Sequence, residues 1–421
     1  VSTPIAQVYV DLHGVPRLVG QLFASGVPGR ETTTFMYDQE WLRAADRFAL
    51  APAIAVSEGP HYPRAGGSLF GALSDSAPDR WGETLLRRAE RRRARAEGRT
   101  PRTLREIDFL LGVSDLTRQG ALRFSKSKGG EFVAPGDPRG VPPLVDLRRL
   151  LDATDRFLAD DESEADLRLL LAPGSSLGGA RPKASVRDPG GHLLIAKFPK
   201  SDDPYRVVAW EAVALELAAK AGIAVAGHRL DRSADRDVLL VNRFDRRGAE
   251  RVPYLSAMSM LDAFDGEPRS YLEIADAIRE HGAAAKSDLP ELWRRIVFNV
   301  LISNTDDHLR NHGFLYDGPA GWRLSPAFDL NPVPVDIKQR VLATSIGFEE
   351  DSTTSLAAAL DVADTFDLRP EAARATATDV AKAVSQWRKI ATRVGVAAAE
   401  IERMASAFEH DDLAAARKLA R

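Results

Sequence analysis

The sequence predicts an α+β chain in two lobes, with a β-rich N-terminal part and a mainly helical C-terminal lobe. Three observations carry this. Ile5, Val8 and Val10 alternate with polar neighbours, and the pattern resumes from Leu18 to Phe23 after a turn at His13-Gly14. From about residue 248 onward the patterns are mostly helical. Where the lobes should meet, an apolar segment, Leu292 to Ser303, runs straight into a polar loop, Asn304 to His312.

The elements follow in order. Trp41 to Leu50 reads as a short helix, and Arg80 to Gly98 as a strongly basic one. Gly129-Gly130 and the Pro/Gly-rich stretch 135–143 read as a linker, which places a boundary near 145. Asp146 to Leu158 and Ser163 to Leu171 read as helices, broken by a Gly/Ser loop over 173–179. Lys183 to Arg187 and His192 to Phe198 form two strands around the turn Asp188-Pro189-Gly190-Gly191. Val207 to Ala221 is an apolar-faced helix, and Val238 to Phe244 a strand. After the polar loop comes a hairpin, Phe314 to Tyr316 and Trp322 to Leu324, and an Ala-rich helical tail begins at Pro370. The division is thus 1–145, 146–247 and a helical 248–421.

Composition narrows the function. The chain has 421 residues, with 57 Lys and Arg against 60 Asp and Glu and a net charge of -3, so coating nucleic acid is not its main task. The absence of cysteine excludes a disulfide scaffold, thiol catalysis and Cys-ligated zinc. Val1-Ser2-Thr3-Pro4 is no secretory leader, and Phe48 to Val56 is far shorter than the ~20 residues of a membrane span. A cytoplasmic protein with no membrane partner is expected.

The chemistry concentrates after the apolar helix. Asp306 and Asn311 are five apart in Asn304-Thr305-Asp306-Asp307-His308-Leu309-Arg310-Asn311, the Asp-x4-Asn spacing of a kinase catalytic loop. Asp329 follows the hairpin, in Ser325-Pro326-Ala327-Phe328-Asp329. Phosphoryl transfer needs a carboxylate to orient the attacking hydroxyl, a role for Asp306. It also needs hard oxygen ligands for Mg2+, a role for Asn311 and Asp329. The plain alternative is a polar turn whose side chains satisfy the backbone.

Upstream, Gly178, Gly179 and Ala180 lie in a small-residue loop before Lys183 that could let backbone N–H groups approach phosphates, although it is not a Walker A sequence. Lys197 stands in the apolar run Leu193 to Phe198, with Glu211 on the next helix as its natural carboxylate partner. An edge-strand lysine facing water is the alternative. Asn242, Arg243 and Phe244 end a strand where a linker's backbone could pair with adenine. His308 and His312, four apart, bring zinc to mind, but the Glu of H-E-x-x-H is missing and His308 fits better as a support of the loop. Arg87, Arg88, Arg91, Arg92, Arg93 and Arg95 could meet DNA phosphates, with a solvated helix face as the favoured reading.

Together these segments resemble the HipA family, the kinase toxins of bacterial toxin–antitoxin pairs. The resemblance rests on the run from Ser68 to Gly82, on Leu110 to Asp115 with Gly120 to Phe124, on Gly178 to Lys183, on Asn242 to Arg246 and on Asn304 to His308. It implies a two-lobed protein-kinase-like (HipA-like) fold and a serine/threonine kinase using ATP and Mg2+. By position it implies Asp306 as catalytic base, Asn311 and Asp329 as metal ligands, and Lys197 with Lys183 and the 178 loop on the phosphates. Asn242 to Phe244 would contact adenine, and Ser176 falls where members autophosphorylate. A phosphoserine's added charge of about -1.5 to -2 would repel ATP there. Arg310 stands where a Lys is commoner, and Phe328 where a Tyr is commoner. The resemblance further implies a small helix-turn-helix antitoxin as partner, operator DNA reached mainly through it, and a translation-related target protein. A small-molecule kinase on the same scaffold and a non-catalytic co-repressor subunit are the rival readings.

Overall fold

The computed structural model describes residues 3–26, 31–133, 140–171, 179–233, 235–347 and 355–419. The chain divides into two compact units. The first comprises Val1–Ser201, Ser233–Asp235 and Leu240–Phe264; the second comprises Asp202–Arg232, Arg236–Leu239 and Asp265–Arg421.

The first unit opens on a five-stranded antiparallel sheet. Its strands are β1 (Ala6–Leu12), β2 (Val15–Ser25), β3 (Thr32–Tyr37), β4 (Pro60–His61) and β5 (Leu122–Ser125), in the order β4-β3-β2-β1-β5. The expected turn joins β1 to β2, with His13 and Gly14 both left-handed at φ 54 and 79°. Val8, Val10, Val19, Leu22 and Phe35 are wholly buried, so this sheet anchors a true core. Helix Arg80–Ala96 starts where Asp79 caps it, its carboxylate accepting from Gly82 N at 2.8 Å. β6 (Lys183–Arg187) and β7 (Leu193–Lys197) form the expected hairpin, with Lys183 directly opposite Lys197.

One helix is shorter than the pattern suggests. Trp41 to Leu50 is helical only over Gln39–Arg43. Leu50 N–H donates to the Tyr37 hydroxyl at 3.3 Å, and Phe48 meets Trp41 edge-on at 5.6 Å. The apolar spacing there serves loop packing, not a helical stripe.

The second unit is mainly helical. Helix Val207–Lys220 buries Trp210 beside Trp387 and Phe408, whose rings stack at 4.6 Å. Helix Tyr271–His281 begins with a capping box between Ser270 and Glu273. The central apolar helix runs over Ala285–Leu301, seven residues earlier than Leu292, and carries Pro290 near its start. It ends before Ser303, whose φ of 54° turns the chain out of the helix. The hairpin Gly313–Tyr316 and Trp322–Leu324 follows, with Phe314 opposite Leu324. Helices Pro370–Val384 and Trp387–Val394 lead the helical tail. No helix among the described residues is long and apolar enough to cross a membrane.

Candidate active site

The loop after the central helix is held from below and open above. Ser303, Asn304 and Thr305 are fully buried, Asp306 is exposed, and Asp307 is buried again. The Asp307 carboxylate accepts from Asn299 Nδ2 at 2.7 Å, from His312 Nε2 at 2.8 Å and from the Tyr271 hydroxyl. Burial pushes its acidity the wrong way, but His312 and the Tyr271 hydrogen bond outweigh that, and the carboxyl stays below the usual range. Burial raises the Tyr271 phenol well above its ordinary value, so it serves as a neutral donor.

From this anchor a chain of amides runs to the third candidate. Asn304 Nδ2 donates to Asn299 Oδ1 at 3.1 Å, and Asn331 N–H donates to Asn304 Oδ1 at 3.4 Å. Asn331 Nδ2 then donates to the Asp329 carbonyl at 3.2 Å. Asp329 sits at φ 58°, a left-handed backbone that costs a non-glycine residue about 1 kcal/mol or more and persists only where surroundings impose it.

Asn311 is turned by the loop itself. Its Nδ2 donates to the Asp306 carbonyl at 3.0 Å, and its backbone N–H to the His308 carbonyl at 2.8 Å. With the amide nitrogen engaged, the amide oxygen is the atom left for a cation. The Asn311 amide oxygen and the Asp329 carboxylate are hard oxygen donors, and that donor set fits Mg2+. Arg310 forms a two-point contact with Asp265 at 3.1 Å. His312 supports the loop through Asp307, while His308 Nδ1 is buried with no hydrogen-bond partner among the described residues and its carbonyl accepts from Asn311 N–H. No group of three His, Cys, Asp or Glu suited to a metal ion occurs among the described residues.

The first unit holds the other candidates. Ser176 and Gly178 lie outside the described residues. Gly179 is left-handed at φ 100°, and Ala180 is exposed. Lys183 is 3% exposed; its ammonium meets Asp79 at 2.7 Å and the Gly179 carbonyl at 3.2 Å. Lys183 is therefore already neutralised, and Trp81 Nε1 fixes its carbonyl at 3.1 Å. Lys197, on the same face of the hairpin, is half-buried. Glu211 is buried on helix Val207–Lys220 in the second unit.

Asn242 is exposed at the end of strand Arg236–Asn242. Arg243 goes elsewhere. Its guanidinium grips both oxygens of Asp245 at 2.6 Å and donates to the Thr117 carbonyl at 2.9 Å, while its backbone N–H is taken by the Leu193 carbonyl. Phe244 lies 6.2 Å from Tyr254, ring to ring.

Sequence reasoning missed the supports: Asp79, Asp307, Asn299, Tyr271 and His312. The adjacent pair Asp306-Asp307 was a usable signal, since neighbouring carboxylates on a tight loop cannot both point the same way. The basic helix is partly accounted for by ion pairs. Arg88 and Arg92 converge on buried Glu162 at 3.1 and 3.0 Å, and Arg87 meets Glu83 at 2.9 Å.

The fold and the loop define a class, a HipA-like α+β fold. The chain is similar over 98% of its length to HipA in the Shewanella oneidensis toxin–antitoxin complex of HipA, HipB and operator DNA, with a TM-score of 0.65 at 17% identity and 96% of that chain covered. Residues 175–388 match the HipA-like C-terminal domain and residues 9–115 the HipA N-terminal domain. The chain belongs to the HipA family. Among curated relatives, a Sinorhizobium fredii protein named "Putative kinase Y4mE" is 28% identical over 323 residues, 70% of this chain and 71% of that protein. A Haemophilus influenzae protein named "Putative kinase" is 29% identical over 131 residues; the match spans 28% of this chain and 38% of that protein's length.

Proposed function

We propose that this chain is an ATP- and Mg2+-dependent protein serine/threonine kinase and the toxin of a toxin–antitoxin module. The observation that carries the reading is the exposed Asp306 carboxylate on a loop anchored by its buried neighbour Asp307. Asp306 accepts the proton of an incoming serine hydroxyl as its oxygen attacks the γ-phosphorus of ATP and the bond to the ADP oxygen breaks. Asn311 and Asp329 hold Mg2+, which supplies charge neutralisation across the phosphates. Lys197 takes the phosphates in preference to Lys183, whose charge Asp79 already satisfies. Asn242 and Phe244 remain for adenine, and Ser176 remains the self-acceptor.

The names of the relatives support kinase chemistry. The Shewanella complex, which holds HipA with HipB and operator DNA, supports an antitoxin as partner and operator DNA in the assembly. A small helix-turn-helix antitoxin that carries most of the DNA contact completes the proposal. A translation-related protein is the proposed target.

The test is mass spectrometry of the protein after incubation with MgATP, beside Asp306→Asn. Phosphate on Ser176 or a neighbouring serine in the wild type alone is expected. Equal phosphate in the variant overturns the role of Asp306. No phosphate in the wild type, on itself or on protein acceptors, overturns the kinase reading.

A further inference from the structure

The central helix Ala285–Leu301 buries three polar side chains among its apolar ones: Asp288, Arg295 and Asn299. With Glu291 they fall at i, i+3, i+7 and i+11, one stripe down the helix. A buried charge persists only where it is paired and its hydrogen bonds are made, so each of these groups has a partner to account for it. Asn299 holds the Asp306 loop through Asp307. Asp288 takes the end of the hairpin, accepting from Arg323 at 3.0 Å and from Leu324 N–H at 2.9 Å. Arg295, one helical turn before Asn299, reaches a third place.

Arg295 is 3% exposed, and its Nη2 donates to the Ser325 carbonyl at 2.8 Å. Nη2 and Nε also donate to Glu291 Oε1, at 2.9 and 3.0 Å. The same Glu291 oxygen accepts the Ala224 N–H at 3.1 Å, and the Ala224 carbonyl accepts the Ala327 N–H at 2.7 Å. One guanidinium–carboxylate pair thus fixes the chain at Ser325 directly and at Ala327 through Ala224, two residues before Asp329. Beyond Asp329, Asn331 Nδ2 holds the Asp329 carbonyl at 3.2 Å, at the end of the amide chain that starts from Asn299. The left-handed Asp329, at φ 58°, lies between these two fixed points. Such a backbone needs surroundings that impose it, and both supports begin on one helix, a turn apart.

We propose that Arg295 and Glu291 are positioning residues for Asp329: by fixing Ser325 and Ala327 they set its carboxylate for Mg2+. Neither touches the metal, the nucleotide or the acceptor. The inference rests on the reading of Asn311 and Asp329 as metal ligands and adds the device that sets one of them. The division along the helix is then by turn, with Asn299 serving the loop of the base and Arg295 serving the strand end of the metal ligand.

The experiment titrates the full chain with Mn2+ in the presence of a non-hydrolysable ATP analogue. Mn2+ takes the same octahedral oxygen coordination as Mg2+, and the paramagnetic resonance of the free ion reports what is bound. The titration gives Kd and the number of sites separately; misfolding lowers the number of sites and leaves Kd alone. Asp329→Asn should weaken Mn2+ binding. Arg295→Met should raise Kd by about tenfold, the low end of what supports of metal ligands are worth. Glu291→Gln still offers an acceptor to Arg295 and Ala224, so its rise should be smaller; it carries the test if Arg295→Met does not fold. Added to Asp329→Asn, Arg295→Met should change Kd little further, since both act through one carboxylate. An unchanged Kd in Arg295→Met, or in Glu291→Gln where that variant stands in, overturns the proposal, as does a full tenfold further loss in the double variant. No Mn2+ bound by the wild type, or a wild-type Kd in Asp329→Asn, removes instead the reading of Asp329 as a metal ligand.

Discussion

Two buried aspartates, Asp245 in the first unit and Asp307 in the second, sit in motifs of equal polarity and have opposite consequences. Asp245 is bound by Arg243 at 2.6 Å, Arg246 at 2.8 Å and the Gly120 N–H at 2.8 Å. Arg118 nearby gives its guanidinium to the carbonyls of Ser76, Leu110 and Val113 at 2.7–2.9 Å, and burial pushes it down to about 9. Arg243 and Arg246 spend their donors on Asp245 and on backbone carbonyls, Arg118 Nε alone of that guanidinium lacks a partner among the described residues, and the motif ties loop 117–120 to the strand end at 243. Asp307 accepts three bonds as well, from Tyr271, Asn299 and His312 and all at its Oδ2, and its immediate neighbour stays in water. The difference teaches that a dense polar motif is a site only where a reactive group is left over. Asp307 fixes the loop; Asp306 is what remains.

The largest expected effect tests that division directly. Asp306→Asn should lower phosphoryl transfer by about 10²–10⁴-fold, the usual worth of a general base. Because Asp306 is exposed, the melting temperature should hardly move. A large fall in melting temperature would make Asp306 a structural residue like Asp245 and dissolve the contrast.

Asp245→Asn should do the reverse. Removing one partner of a buried ion pair costs about 3–5 kcal/mol of stability, measurable by urea unfolding. The acid response follows from the same contacts. Burial alone would raise the Asp245 carboxyl, but Arg243 and Arg246 outweigh it and hold it below the usual carboxylate range. A folded value below the unfolded one means that this contribution is complete above the ordinary carboxylate pKa. It is lost as pH falls from there through the folded value. Unfolding free energy of Asp245→Asn should therefore depend less steeply on pH below about 4 than the wild type's. An unchanged slope would show that the pair does not govern the acid limb.

Asp307→Asn falls between the two. It leaves Tyr271 and His312 with a weaker acceptor, and should cost about 1–3 kcal/mol of stability. The loosened Asp306 should lower kcat by about ten- to a hundredfold, since small misplacements are felt strongly in catalysis. Stability loss with full activity would mean that Asp306 needs no such support. The smallest effect belongs to the basic helix. Arg91→Glu with Arg95→Glu, both exposed, should change stability by no more than about 0.5 kcal/mol. A change in operator binding with the antitoxin present would give this face a function that its ion pairs do not supply.

Much of the fold was legible. The β1–β2 turn at His13-Gly14, the β6–β7 hairpin and helix Arg80–Ala96 follow from period and turn residues, and the structure adds the Asp79 cap. Local rules govern them, so local sequence suffices. The Trp41 to Leu50 helix failed where Tyr37, a residue on a neighbouring strand, took the Leu50 N–H. The central helix was read too short, beginning at Leu292 rather than Ala285.

The sequence by itself determined the residue types of the site: carboxylates and an amide at Asp-x4-Asn spacing, and small residues and lysines upstream. Only the tertiary structure decided which of them are still open to a ligand. Lys183 looks like a phosphate binder in one dimension and Arg243 like part of an adenine-contacting strand end, and each side chain is engaged by an aspartate, Asp79 from a helix cap and Asp245 from two residues on. Asp306 and Asp307 are adjacent and chemically identical, yet Asn299, Tyr271 and His312 claim one and leave the other. Those partners come from positions up to 36 residues away. Burial and hydrogen-bond saturation are properties of such long-range neighbours, and no short window of sequence contains them.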